Sequence, residues 1–299
     1  MSTRISLVFL GFLFHWLPLI AQQPKTLLWE VSGNDLTKSS YVFGTMHLLC
    51  DADQMMTDSL LAAIGQSDEV YFEIDMDNPG ELLGIFRYIR MKDNKKLADL
   101  LSPEEYAQVK EYFAKTRTML PLSMMETFKP YFVAAMLSES KMACETKNGM
   151  EELIMRQAKK QGKEIKGLES IAFQASVFDS IPYEEQAKEL VKTIREEAKQ
   201  DSFANKMSQI YRMQDLDQIE QLTIQEEGGV SGYLDLFLYG RNAKWIAAME
   251  EAMKNQSVLF AVGAAHLPGE KGVLSLLRKA GYTVRPIMQA VNLGRSVSL

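Results

Sequence analysis

"SVLFAVGAAHLPGEKGVLSLLRKAGYTVRPI" (Ser257–Ile287) divides into three parts. Val258 to Val262 is an apolar run of the length of a buried strand. Helical spacing is predicted from about Glu270 to Lys279, with Gly281 as its C-cap, and "YTVRPI" returns to strand-forming residues. Strand, helix, strand is a βαβ-like unit, which needs a sheet covered by helices. The expected fold class is therefore α/β: a central mixed sheet with flanking helices and large helical insertions.

The strand at Val258 ends in Gly263 and presents His266 three residues later. "SYVFGTMHLLCD" (Ser40–Asp51) has the same order, an apolar strand, Gly44 and then His47. The chain has three histidines in 299 residues, and His15 falls in a segment expected to be removed. The two stretches form an approximate internal repeat of strand and Gly-x-x-His, with Gly44 and Gly263 read as structural turn residues. Ligands of open α/β sheets bind beyond the carboxyl ends of the strands, so two equivalent strand ends could bring His47 and His266 together. One such histidine alone is more often satisfied by backbone hydrogen bonds. Two copies that take up all the remaining histidine point to a shared site.

Elsewhere, Leu27 to Val31 and Tyr41 to Phe43 flank "SGNDLTKSS", the signature of a hairpin loop. Helical spacing follows from Met55 to Ile64. "EVYFEID" is a strand with Glu73 near its end and Asp75 as a reserve acid on the same face. "KEIKGLES" is a further strand, ending in Glu169. A helical insertion is expected at about 79–162, with a capping box at Ser102 and Glu105 and a kink at Pro130. A second helical block spans about 182–255. Most of the 18 methionines sit at helical spacing and read as core filler rather than soft-metal ligands.

The N-terminus, an early arginine followed by an apolar run and Ala21, reads as a signal peptide over 1–21. The remainder, 22–299, is read as one domain, periplasmic or secreted, with no stable membrane span. The net charge of −6 and the absence of a basic cluster exclude nucleic acid as an expected partner. Cys50 and Cys144 could form one disulfide or remain two buried thiols. There is no P-loop, Gly-x-Gly-x-x-Gly, Gly-x-Ser-x-Gly or His-Glu-x-x-His sequence.

Two imidazoles need a carboxylate or a third nitrogen or sulfur to hold a metal, and Glu73 is the best placed. His47, His266 and Glu73 would suit a divalent Mn, Co, Fe or Zn ion. Glu73 is then a third ligand or general base, and Glu169 a further acid at the same rim. Arg241, in "LYGRNAKW", could stabilise an oxyanion or serve in a structural ion pair.

These stretches resemble the TraB/GumN family, related to the Tiki metalloproteases and more distantly to erythromycin-esterase-like and ChaN-like proteins. The likeness is carried by "YVFGTMHLL", "YFEID", "GMEELIMRQAKKQGKEIKGLES", "YGRNAKW" and "FAVGAAHLPGEKGVLSLLRKAGYTV", from about Leu27 to Pro286. It implies an α/β core with both histidines and Glu73 in one cleft, and metal-dependent hydrolysis of a peptide or protein substrate. Two alternatives stay open: a metal-free, esterase-like hydrolase, and a periplasmic protein that binds peptide, iron or haem without turnover.

Overall fold

The computed structural model describes residues 24–50, 52–116, 118, 120–140, 147–225 and 231–290. The expected signal segment 1–21 and Cys144 lie outside them.

In chain order the elements are β1 (Leu28–Ser32), β2 (Ser40–Thr45), β3 (Leu49–Cys50), α1 (Asp58–Gln66), β4 (Glu69–Ile74), α2 (Pro79–Tyr88), α3 (Leu97–Leu100) and α4 (Pro103–Lys115). There follow α5 (Leu122–Met125), α6 (Pro130–Ser140), β5 (Lys147–Asn148), α7 (Met150–Lys160), β6 (Glu164–Glu169), α8 (Ile171–Asp179), α9 (Tyr183–Arg195), α10 (Glu197–Arg212) and α11 (Leu216–Gln225). A π-helical turn, Asp235–Tyr239, runs into α12 (Gly240–Met253), and β7 (Val258–Gly263), α13 (Val273–Lys279) and β8 (Thr283–Ile287) close the fold.

The main sheet has the order β6-β4-β7-β2-β1-β8. Strands β6, β4, β7 and β2 are mutually parallel, whereas β1 runs antiparallel to β2 and to β8. The hairpin expected around "SGNDLTKSS" joins β1 to β2, and Gly33, Asn34 and Asp35 take left-handed backbone at its tip. The β7–α13–β8 unit exists, but the β1–β2 hairpin lies between its two strands. Its helix begins at Val273 rather than near Glu270, because Gly269 has φ +81° and Gly272 caps the helix. The central strands are apolar on both faces, as strands covered by helices must be. Phe43, Phe72 and Phe260 are almost inaccessible, and burial of such a side chain is worth roughly 1.5–3 kcal/mol.

One core joins the sheet to α1, α7, α10, α11, α12 and α13. Met55, Met150, Met249 and Met253 lie within it, in the filler role expected of them. A second cluster gathers Leu97, Val109, Phe113, Val133 and Leu137 from the stretch α3 to α6 around Leu190 and Val191 of α9. So α7 packs on the main core although it lies inside 79–162, while α9 joins the helices of that stretch. Pro130 does not kink a continuous helix. It is the first residue of α6, where its missing N–H costs nothing. Among the described residues no helix is long and apolar enough to cross a membrane.

Candidate functional site

Four parallel strands end at one rim: β6 at Glu169, β4 at Ile74, β7 at Gly263 and β2 at Thr45. Over this rim opens a cleft of about 500 Å³, and His47, Glu73, Arg241 and His266 all line it. Glu169 comes to the same cluster through Arg241. The reserve acid Asp75 does not line the cleft. Its carboxylate accepts from the Asp77 N–H in the turn after β4.

The two glycines are needed for space rather than for left-handed backbone. Gly44 lies within β2, and a Cβ there would meet Ala264 at 3.1 Å and Leu267 at 3.2 Å. A Cβ on Gly263 would stand 3.1 Å from the Glu73 carboxylate. Neither has positive φ; Gly44 lies within β2, and Gly263 ends β7 where the chain enters the short 3₁₀ turn Ala264–His266.

Arg241 is the hub. Its Nε–H donates to Glu169 Oε1 at 3.0 Å, and Nη2 donates to Glu73 Oε2 at 2.5 Å and to Glu169 Oε1 at 2.6 Å. Nη1 donates to the Phe237 carbonyl at 2.9 Å and faces His266 Nε2 at 3.3 Å. A guanidinium has five N–H donors; four go to Glu73, Glu169 and the Phe237 carbonyl, and the fifth faces His266 Nε2. Arg241 thus forms a buried ion pair with both Glu73 and Glu169. Glu169 also accepts from Trp245 Nε1 at 3.0 Å.

Glu73 accepts from the Gly263 N–H at 2.9 Å and from Gln174 Nε2 at 3.0 Å in addition to Arg241. Burial opposes its ionisation, but His266, Arg241, His47 and the Gly263 N–H overcome that and hold the carboxyl down to about 2. Burial pushes His266 down to about 3 against the attraction of Glu73. His266 is therefore neutral at pH 7, and Arg241 and His47 are the cations that keep Glu73 ionised there.

The tautomer of His266 follows from its neighbours. Asn242 Nδ2 donates to the carbonyls of His266 and Lys271, so Asn242 Oδ1, 2.6 Å from His266 Nδ1, must be the acceptor. Nδ1 carries the proton, and the lone pair lies on Nε2, 3.7 Å from Glu73 Oε1. Trp245 packs against the ring with a centroid separation of 4.5 Å.

His47 differs. Its side chain is 74% exposed within the cleft, yet Nδ1 sits 2.8 Å from the buried Glu151 Oε1. Glu151 raises His47 to about 9, although solvent at so exposed a ring screens part of the attraction. Neither Glu151 oxygen has a hydrogen bond of proper geometry, nor has the neighbouring Thr45 hydroxyl. Burial works against the Glu151 charge, and His47 more than compensates, so Glu151 is lowered and ionised.

Sequence reasoning did not single out Glu151, Asn242, Gln174 or Trp245. Trp245 stands four residues after Arg241 in "YGRNAKW", the helical spacing that keeps side chains near one another, and Asn242 follows Arg241 directly. Among the described residues no cysteine is free.

The donor set suits a divalent ion in kind. A neutral imidazole, a second imidazole and the ionised Glu73 carboxylate border one cleft, and Glu151 stands behind the second imidazole. Among the described residues, however, no three His, Cys, Asp or Glu side chains already gather around one point. The exposed His47 ring is the member with room to turn.

The chain belongs to the TraB/PrgY/gumN family, whose model matches residues 27–286. Metalloprotease TIKI2 of Danio rerio is 22% identical, with 91% of this chain and 64% of that protein covered. Metalloprotease TIKI1 of Homo sapiens is also 22% identical, with the same two shares covered. The chain thus spans less than two thirds of the length of these relatives. No solved structure matches it.

Proposed function

We propose that this TraB/PrgY/gumN family protein is an exported metal-dependent hydrolase that cuts a peptide bond, periplasmic or secreted. Support comes first from His266, a cleft-lining ring whose proton is fixed on Nδ1 by Asn242, so that its lone pair lies on Nε2, 3.3 Å from Arg241 Nη1 and 3.7 Å from ionised Glu73. The relatives named metalloproteases support the same class.

His47 and His266 would hold the ion, with Glu73 as the adjoining carboxylate. Mn, Co, Fe and Zn all suit such donors. When bound, a divalent ion lowers the pKa of water and polarises a carbonyl. The remaining tasks belong to the chain. Arg241 holds Glu73 and Glu169 in place and helps to keep Glu73 ionised. The apolar wall of Phe132, Val177, Phe178, Phe237 and Leu238 gives a substrate chain a dry surface beside the polar cluster.

A metal-free general base is the poorer reading. A His266 held near 3 lies far from the range where a base works best. The test is cleavage of a peptide library by the purified protein reloaded with Mn, Co, Fe or Zn, beside His47→Ala and His266→Ala. Metal-dependent cleavage lost in both variants is expected. Cleavage that survives chelation, or no cleavage with any of the metals, rejects the proposal.

A further inference from the structure

Glu151 is a buried carboxylate, 8% exposed at the side chain, whose cationic partner is His47, and the reading above gives it no task. A buried charge that loses its partner carries a penalty of more than about 1–3 kcal/mol. Its place is nonetheless closely specified. The loop after β2 is zipped to the segment before α7: Leu49 pairs with Asn148, Cys50 with Lys147, and the Met150 N–H donates to the Met46 carbonyl at 3.1 Å. Gly149 lets these backbones meet, since a Cβ there would stand 2.5 Å from the His47 carbonyl oxygen. Glu151 then lies in the first turn of α7, with Oε1 at 2.8 Å from His47 Nδ1.

The second histidine shows what such a partner does. Asn242 holds Nδ1 of His266 and leaves Nε2 towards the cleft. Glu151 stands at the same ring nitrogen of His47, which leaves His47 Nε2 as the nitrogen open to the cleft. Metal-ligating histidines commonly give their other ring N–H to a carboxylate or carbonyl, which fixes the ring and makes it a stronger donor. We infer that Glu151 is the positioning residue of His47, the anionic counterpart of Asn242 at His266, and that it acts on a bound divalent ion only through that ring. The inference rests on the metal reading above and assigns the two histidines unequal partners, a charge for the exposed one and a neutral amide for the buried one.

The test is Co²⁺ titration of the metal-free full chain, followed by its visible absorption, in wild type, Glu151→Gln and His47→Ala. Glu151→Gln is expected to bind Co²⁺ about 10–100-fold more weakly and, once saturated, to give the wild-type spectrum. His47→Ala is expected to change the spectrum itself. Unchanged affinity in Glu151→Gln overturns the inference, and so does a saturated spectrum altered as in His47→Ala, which would put Glu151 in direct contact with the ion. If Glu151→Gln does not fold, Glu151→Asp is read by the same criteria, because its shorter carboxylate draws back from Nδ1. Failure of wild type to take up Co²⁺, with no uptake of Mn, Fe or Zn, rejects the metal reading and the inference with it.

Discussion

Replacing Arg241 with Met would remove the one cation that Glu73 and Glu169 share while filling most of its volume. Arg241 and both carboxylates are less than 10% exposed at the side chain. Removing one partner of a buried ion pair typically costs 3–5 kcal/mol, about 4 here, because the charges left behind remain buried. For a chain of this length about 2 °C per kcal/mol applies, so the melting temperature of the metal-free protein should fall by about 8 °C at pH 7. The pH dependence fixes the cause. In wild type the depressed Glu73 contributes stability that is present above its ordinary 4.5 and is lost as pH falls through about 2. Without Arg241 one of the main opponents of burial is gone and the carboxyl is expected to rise, so its ionisation at pH 7 is expected to destabilise the fold relative to wild type. Acidification from pH 7 to pH 5 should then narrow the gap between Arg241→Met and wild type. Adding Glu73→Gln to Arg241→Met should recover at pH 7 a substantial part of what was lost. Urea denaturation of the three proteins at pH 5 and pH 7 is the assay. A cost below about 1 kcal/mol, or a gap that stays constant between the two pH values, would refute the view of Arg241 as the hub of a buried ionic cluster.

Three smaller perturbations probe the surroundings. Gly149→Ala forces a Cβ towards the His47 carbonyl and should cost about 1–3 kcal/mol while displacing the His47 loop; unchanged melting together with unchanged Co²⁺ affinity would contradict the zipped geometry. Asn242→Ala removes the acceptor for His266 Nδ1–H and strips two carbonyls of their donor, so about 1–3 kcal/mol of stability and the defined tautomer, read by ¹⁵N NMR of the ring, should both be lost. His47, raised to about 9, contributes stability that is present below its ordinary 6.5 and lost as pH rises through about 9. The difference in urea midpoint between wild type and metal-free Glu151→Gln should accordingly shrink between pH 6 and pH 9.5, and a constant difference would show that the ion pair does not matter to the fold.

Much of the rim was legible because strand ends are local features. An apolar run says where a strand lies, and parallel strands fed by helices must end on one edge. That places His47, Glu73, Glu169 and His266 at one rim without any knowledge of their contacts. Arg241 could be placed at a helix start, but only the fold shows that it bridges Glu73 and Glu169. Glu151 was hidden for a physical reason. An acid in the first turn of a helix is what the helix dipole favours anywhere, so nothing in "GMEELI" separates a carboxylate under a histidine from a solvated one. Its pairing with His47 depends on the β3–β5 zip, a contact between segments far apart in sequence.

The approximate repeat shows how similar motifs diverge once they are packed. Parallel pairing of β2 with β7 sets Gly44 opposite Val262 and Thr45 opposite Gly263, so the two glycines are offset by one residue. After β7 the chain turns at once into a short 3₁₀ segment, Ala264–His266, which tucks the ring between Trp245, Asn242 and Arg241. After β2 it continues to β3 and leaves His47 in the cleft. A one-residue offset and a different exit thus give one histidine that burial keeps neutral and one that solvent and Glu151 allow to be charged. Equal motifs in sequence become unequal groups in the site, and an unequal pair gives a cleft both a fixed neutral nitrogen and a ring with room to turn.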